Sequence, residues 1–382
     1  VHGIVHPQVE WRPLASLSSM AAEWGSLARR ALEPNVFYEP AFAVAAATVF
    51  GGGVGALLIW SQSDPRQLVG FFPARIERFR YGLPLPVLVG WTHPYAPLGT
   101  PLVDAVCAEE AISAWLDHIA TNPEFPKLIL LPYLAMEGAT AIVLARVLAR
   151  RGGGLALFAA HARALLAPGG ERTSYLERAI GPKKRKELRR QRKRLAETRH
   201  LVSVADAELP GIAAALDDFL ALEAGSWKGR AGTAARCREE LAGFLAQAVT
   251  GLAQQGSASI VRLCLGRRAI AALLILRSGR TAWSWKIAHD ETFAQYSPGV
   301  QVLLDATDRL LADEGIHRVD SCATANHPMV DHIWRERLSL ADCLFAAAPA
   351  GAKAFALARG SESARRALIN GAKNLRGRAR QR

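Results

Sequence analysis

The segment 279–306, GRTAWSWKIAHDETFAQYSPGVQVLLDA, gathers the side chains of this 382-residue chain best suited to chemistry. A tryptophan-rich strand pattern carries Lys286 in its middle, with His289 and Asp290 at its end. Ser297-Pro298-Gly299 then opens an amphipathic helix. A helix N-terminus placed directly after a strand offers free backbone N–H groups and a positive dipole end, and both favour phosphate. The same residues also suit an ordinary helix start, with Ser297 as N-cap and Pro298 at N1. Strand alternation sets Lys286 on the face opposite Trp283, Trp285 and Ile287. A lysine in so apolar a strand either contacts substrate or a developing oxyanion, or snorkels from an edge.

Other candidates lie further off. Glu223 stands in LEAGSWKGR, just before a loop holding Trp227 and Lys228. It is either a catalytic acid–base group or a surface acid at a helix end, and Trp227 either walls an acceptor or caps the core. Asp320 follows the next strand. Pro328 reads as N1 of a helix over 327–337, with His327 facing substrate or capping that helix. His327 and His332 are five residues apart and do not share a helix face; with no H-E-x-x-H present, no metal site is expected. His93 belongs to a proline-rich loop and is either structural or at a pocket rim. No G-x-S-x-G elbow occurs, and the glycines of 51–55 are not followed by Lys-Ser/Thr, so neither a serine hydrolase nor a P-loop is indicated.

Helix and strand patterns alternate around these residues. Helices are expected near 14–32, 38–50, 107–121 and 137–151, and strands at 56–60, 67–79, 86–90, 127–132 and 155–160. Ser63-Asp64-Pro65 is a turn signal joining 56–60 to 67–79 as a hairpin. After a polar junction, PGGERTS (168–174), the theme repeats. Helices are expected at 183–198, 209–225, 234–255, 299–314 and 327–337. The strands of this half are expected at 200–205, 258–265, 269–277, 280–288, 317–323 and 341–347. The class is α/β with mixed sheets, and a structural duplication is suspected. The uncharged run 41–60 is long enough to span a bilayer. Its central glycines divide it instead into an alanine-rich helix, a turn and a buried strand.

Charge is concentrated in two places. Residues 183–194 (KKRKELRRQRKR) and 353–382 each carry nine basic residues and one acid, leaving 29 basic and 32 acidic residues in a near-neutral body. Residues 183–194 are either a solvated helix or, at such density, the site of an anionic partner: a phosphorylated or nucleotide-linked acceptor, a tRNA, or anionic lipid at the inner membrane face. No aromatic residue interleaves 183–194, which disfavours single-stranded nucleic acid. Five widely spaced cysteines (107, 237, 264, 322, 343) without a C-x-x-C suit a reducing cytoplasm. The opening VHGIVHPQVEW lacks the charged-then-apolar pattern of a secretion signal.

Several stretches resemble the GNAT acyltransferase superfamily. The likeness is to its CelD/BcsL-type acetyltransferases of exopolysaccharide or cellulose synthesis, and through them to the Fem-type transferases that build peptidoglycan bridges. They are RKELRRQRKRLAE (185–197), FLALEAGSWKGRAGT (219–233), WSWKIAHDETFAQYSPGVQVLLDA (283–306) and VDSCATANHPMVDHIWRERL (319–338), with PNVFYEPAF (34–42) and APLGTPLVD (96–104) in the first half. The resemblance implies tandem GNAT-like domains, 1–167 and 168–350; the Ala-, Arg- and Lys-rich stretch 351–382 reads by composition as a basic helical tail, lying on the body or partly frayed. It implies acetyl-CoA as acyl donor, entering where central strands splay apart after 281–288. The donor's diphosphate would rest on the loop 295–300, at Tyr296, Ser297, Gly299 and Val300. Ordinary GNAT members read Q/R-x-x-G-x-G/A there. This chain has one glycine and is nearer the Fem-type form, whose donor is aminoacyl-tRNA. An attacking amine or hydroxyl needs a base and an oxyanion partner, for which Glu223, Lys286, Asp290 and Asp320 are the candidates. Arg185, Arg189, Trp227, Lys228, His289 and His327 are candidate substrate contacts. The acceptor implied is a sugar or amino sugar of a surface polysaccharide, at a cytoplasmic protein peripheral to the inner membrane. The competing readings are transfer from aminoacyl-tRNA and a non-catalytic GNAT-like protein that binds nucleic acid or membrane.

Overall fold

The computed structural model describes residues 7–62, 65–168, 172–348 and 351–380, with side chains up to Ile369. The turn signal at 63–64 and positions 169–171 of the junction lie outside the described residues. The first half runs β1 (Gln8–Pro13), a 3-10 turn (Leu14–Met20), α1 (Ala21–Arg30), α2 (Pro40–Phe50), β2 (Val54–Trp60), β3 (Leu68–Glu77) and β4 (Val87–Gly90). It continues with β5 (Leu102–Val103), α3 (Ala108–Thr121), β6 (Leu128–Ala135), α4 (Ala139–Arg150) and β7 (Leu155–Leu166). Then come α5 (Tyr175–Ala179), α6 (Pro182–Thr198), β8 (Leu201–Asp206), α7 (Gly211–Gly225), α8 (Trp227–Arg230) and α9 (Glu239–Ala253). The chain ends with β9 (Ala258–Leu265), β10 (Arg268–Ser278), β11 (Thr281–His289), α10 (Pro298–Ala312), β12 (Arg318–Asp320), β13 (Glu336–Ala346) and α11 (Ala352–Arg380).

Two compact units result. The first comprises the residues up to Asn35, Gly53–His161 and those from Ser339 onward; the second comprises Val36–Gly52 and Ala162–Leu338. They share one pattern of strand pairing. In the first, β1, β2, β3 and β4 are successive antiparallel neighbours, β4 pairs β6 in parallel, and β13 lies antiparallel to β6. In the second, β8 to β11 are antiparallel neighbours, β11 pairs β12 in parallel, and β7 lies antiparallel to β12. The parallel step requires a crossover, supplied by α3 in one unit and α10 in the other. The duplication is therefore one of topology.

These units cut the chain differently from the linear boundaries at 167/168 and 350/351, for packing reasons. Phe42 of α2 meets Phe244 of α9 and Trp285 of β11 edge-on, each at 5.4 Å, and Phe37 meets Trp283 at 6.0 Å. Gly251 lets α2 close on α9, since a Cβ there would lie 3.2 Å from Ala41. Segment 36–52 thus completes the core of the second unit. The first unit is closed in turn by β13, whose Cys343 and Phe345 join a core with Trp115 stacked on Phe72 at 4.2 Å. The run 41–60 divides into α2, a glycine turn and β2 as expected. No helix among the described residues is long and apolar enough to cross a membrane.

One expected element is replaced. The helix over 327–337 is instead a 3-10 turn (Val330–His332) followed by the start of β13. Val330, Ile333 and Trp334 imitate helical spacing, but each is buried against α10 and β12 from a turn, with Trp334 Nε1 donating to Thr307 Oγ1 at 3.0 Å. The strand over 317–323 shrinks to Arg318–Asp320, and β1, β5 and α5 were not anticipated.

The tail helix α11 docks on the first unit through an ion-pair network. Fully buried Glu362 receives Arg80 at 3.0 Å and Arg366 at 2.6 Å, and Arg366 also reaches Asp342 at 2.7 Å. Burial alone would raise the Glu362 pKa, but Arg80 and Arg366 together hold it below the usual carboxylate value. Its stabilisation is therefore full above about pH 4.5 and fades as pH falls through the lower folded pKa. Glu362→Gln is expected to destabilise the first unit by about 1–3 kcal/mol at pH 7, measured by urea denaturation, because Arg80 and Arg366 lose a charged partner and keep only Glu77 and Asp342.

Candidate functional site

The centre of the second unit is the β10–β11 hairpin, which turns at Gly279 with φ 54°. Its register runs Leu276↔Trp283, Ile275↔Ser284 and then Leu274↔Lys286, so Trp285 is an extra residue bulged out of the ladder. The bulge reverses the alternation expected from sequence. Leu274 and Leu276 share a face, so Lys286 lies on the same face as Trp283, and Ile287 on the opposite one with Leu273. The expected placement of Lys286 opposite both tryptophans is corrected accordingly: Trp285 packs on Phe42 and Phe244, and the Lys286 Nζ lies 5.9 Å from the Trp285 ring.

On its other edge β11 pairs β12 only over Thr281–Trp283 against Arg318–Asp320. Beyond Trp283, β11 continues for six residues while the partner chain leaves. Ser321 N donates to Ala164 O at 3.2 Å, and Cys322 takes a left-handed φ of 52°. The ladder thus opens beside Lys286.

Four side chains meet at this opening. Glu223, at the end of α7, is buried and bonded to Lys228 Nζ at 2.9 Å and to the Ala235 N–H at 2.9 Å. Burial pushes the Lys286 pKa down to about 8; the adjacent Lys228 charge adds to this, against weaker opposition from Glu223 and Cys322. Burial raises the Cys322 thiol, as does Asp320, against smaller effects of Arg163 and Lys286. The result is an amine that can be emptied or filled with a proton near neutral pH, beside a neutral thiol and a second ammonium.

The remaining candidates are placed as follows. Asp320 forms a buried, bidentate pair with Arg163 of β7, one bond at 2.6 Å, and also accepts from Cys322 N at 3.0 Å. Its carboxylate is committed to holding β7 and β12 together. Asp290 caps the 3-10 turn Glu291–Tyr296, accepting from the Thr292 N–H and hydroxyl, and pairs with Arg268. Burial would raise its pKa, but these partners hold it below the usual range. Glu291, which sequence reasoning passed over, accepts from Trp227 N at 2.9 Å and Arg230 at 2.7 Å, and so ties α8 to this turn. Trp227 itself is 59% exposed.

Ser297 stands at the N-cap position of α10 with φ 52°, yet its side chain makes no cap bond; Pro298 occupies N1. No acid lies in the first turn of α10. A Cβ on buried Gly299 would come within 3.1 Å of His289 Nδ1 and 3.6 Å of Met329 Sδ. Tyr296 and Val300 are half-buried against the core. The starts of α2, α4, α6 and α7 are likewise without a side-chain cap or an acid in the first turn. The corresponding helix of the first unit, α3, instead opens with Glu109 and Glu110, Glu109 being held by Arg146 and Arg150.

The basic helix α6 packs on α10 through Leu188, Leu195 and Arg192, which pairs with Asp305 at 3.0 Å; Gln301 Nε2 donates to Leu188 O at 2.9 Å. Arg185 reaches Glu177 at 3.4 Å, and Arg189 is exposed. His327 is half-buried, and its Nδ1 accepts from Met329 N at 3.3 Å, capping the turn that replaces the expected helix. Glu223, Lys228 and Lys286 therefore converge, His289 sits at the start of α10, and Asp320 and Asp290 are held by arginines. Cys322 and Arg163 were missed. Only a fold that returns β7 to β12 reveals Arg163.

Residues 182–327 match the family model described as acetyltransferase (GNAT) domain, so this stretch of the second unit carries the GNAT fold. The crystal structure of FemX, 12% identical, aligns over 85% of this chain and 95% of its own with a TM-score of 0.58. The C-terminal DUF2156 domain of a protein described as a lysylphosphatidylglycerol synthetase of Agrobacterium fabrum is also 12% identical. It aligns over 91% of this chain and 96% of its own with a TM-score of 0.56. At these identities the likeness is one of fold, and it extends over both units. No curated protein sequence matches the chain.

Proposed function

We propose that the protein is an acyltransferase whose second unit binds the acyl donor and performs the transfer. The observation that carries this reading is the open edge of β11 beside Lys286, followed directly by the uncapped, acid-free start of α10. A donor phosphate would bind the first N–H groups of α10, with His289 alongside. The acyl carbonyl would lie near Lys286 and Lys228. The acceptor amine or hydroxyl attacks the carbonyl carbon, its proton passes to the neutral Lys286 amine, and the bond to the leaving thiolate breaks. Lys286, now an ammonium, returns that proton to the thiolate. Lys228 steadies the oxyanion and is itself oriented by Glu223.

By its resemblance to the CelD/BcsL-type enzymes, the donor is acetyl-CoA and the acceptor a sugar or amino sugar of a surface polysaccharide. Exposed Trp227, beside Lys228 and with its backbone N–H on Glu291, offers a flat indole suited to a sugar ring. A second reading, transfer from aminoacyl-tRNA, is favoured by the single glycine of 295–300 and by the fold likeness to FemX across both units. Arg189 and its neighbours on α6 would then face tRNA phosphates.

The test is a transfer assay on the full chain with acetyl-CoA and a panel of hexosamines, following thiol release and product mass. Acetyl-hexosamine formation supports the first reading. Inertness toward acyl-CoA, with transfer from aminoacyl-tRNA to an amine, establishes the second. Neither activity, across donors and acceptors, contradicts the proposal.

A further inference from the structure

Helix α11 docks on the first unit by a charged side and turns an apolar one to solvent. Ala358 and Glu362 are fully buried, and Arg366 is spent on Glu362 and Asp342. Leu357 and Leu368, in contrast, are 53% and 75% exposed. They stand eleven residues apart, close to three helical turns, and so align along one outward stripe that also holds exposed Gly360 and Ala364. Exposed Lys353 lies along it, while Arg359 stands on the opposite side of the helix. The only acid in 351–382 is the buried, paired Glu362, and beyond Ile369 the sequence adds Lys373, Arg376, Arg378, Arg380 and Arg382.

We propose that α11 lies with this face on an anionic lipid bilayer surface. Cations alone would suit any polyanion. Leucines held out of the protein among cations gain only from a partner that offers hydrocarbon beneath its negative charge. A nucleic acid offers none, and Phe355, the single aromatic residue of 351–382, is packed into the first unit and cannot stack on bases. Anionic headgroups take the lysines and arginines while the leucines enter the acyl boundary.

The test is flotation of the full chain with phosphatidylglycerol–phosphatidylcholine vesicles and with pure phosphatidylcholine vesicles. The chain is expected to float with the first and not the second. Leu357→Ser with Leu368→Ser should lower partition by about tenfold or more, with thermal unfolding unchanged. Lys353→Gln, on the stripe, should lower it about fivefold. Lys193→Gln with Arg194→Gln on α6 should leave it within about twofold. The proposal is overturned if anionic vesicles do not retain the chain. It is equally overturned if the α6 pair abolishes binding while the leucine pair has no effect, or if the α11 changes weaken salt-sensitive binding of structured RNA but not of vesicles.

Discussion

Lys286→Met is expected to lower turnover by about 10²–10⁴-fold while making the folded protein more stable at pH 7. The two effects have one cause. Burial and the Lys228 charge move the Lys286 pKa from 10.5 to about 8. Below pH 8 the folded chain thus carries an ammonium that water would solvate better, at a cost of about 3 kcal/mol. Between pH 8 and 10.5 the unfolded chain binds the proton and the folded chain does not, so wild-type stability rises with pH across that window. Methionine keeps the unbranched stem without the charge. Urea denaturation should show the variant gaining at pH 7, with the gain shrinking toward pH 10. The wild-type rate should climb with pH to a plateau above about pH 8, as the neutral amine becomes the base. A variant that keeps full turnover, or a rate that falls through pH 8, removes Lys286 from the chemistry.

Asp320→Ala is expected to be the most destabilising single change in the second unit, by about 3–5 kcal/mol. Asp320 and Arg163 are each 2% exposed and bonded through both carboxylate oxygens, so the alanine removes the carboxylate that balances a buried guanidinium. Replacing both, Arg163→Met with Asp320→Leu, should restore most of the loss, because a dry apolar pair of similar volume avoids the desolvation of two charges. The double variant also decides a matter of role. Asp320 stands one strand from Lys286 and looked, in sequence, like a candidate base. If it only clamps β7 to β12, the double variant keeps turnover within about tenfold; loss of all activity in a protein as stable as wild type would make it catalytic after all.

Strands β9 to β11 and helix α10 were legible because their apolar runs and the Ser297-Pro298-Gly299 start are local signals. The opening beside Lys286 was not, because it depends on two features without a sequence signature. One is the bulge at Trp285, a single extra residue that changes the face of everything after it. The other is the early end of β12, where Ser321 turns to Ala164 on a strand 157 residues earlier in chain order. Val330, Ile333 and Trp334 misled through true helical spacing, since a buried turn can satisfy the same period. Segment 36–52 was recognisable as a helix, but its allegiance to the second unit rests on aromatic contacts from Phe37 and Phe42 that no local pattern records. The sequence marks Glu223, Lys228 and Lys286 only singly; their convergence is a property of the fold.

Calorimetric titration of coenzyme A into the full chain and into Gly299→Asp bears most directly on the acyl donor. With the donor at the start of α10, the wild-type chain binds at one site. The new carboxylate, set among the first N–H groups and against His289, should weaken binding by at least about tenfold. Absence of binding, or an isotherm that Gly299→Asp leaves unchanged, would contradict that placement.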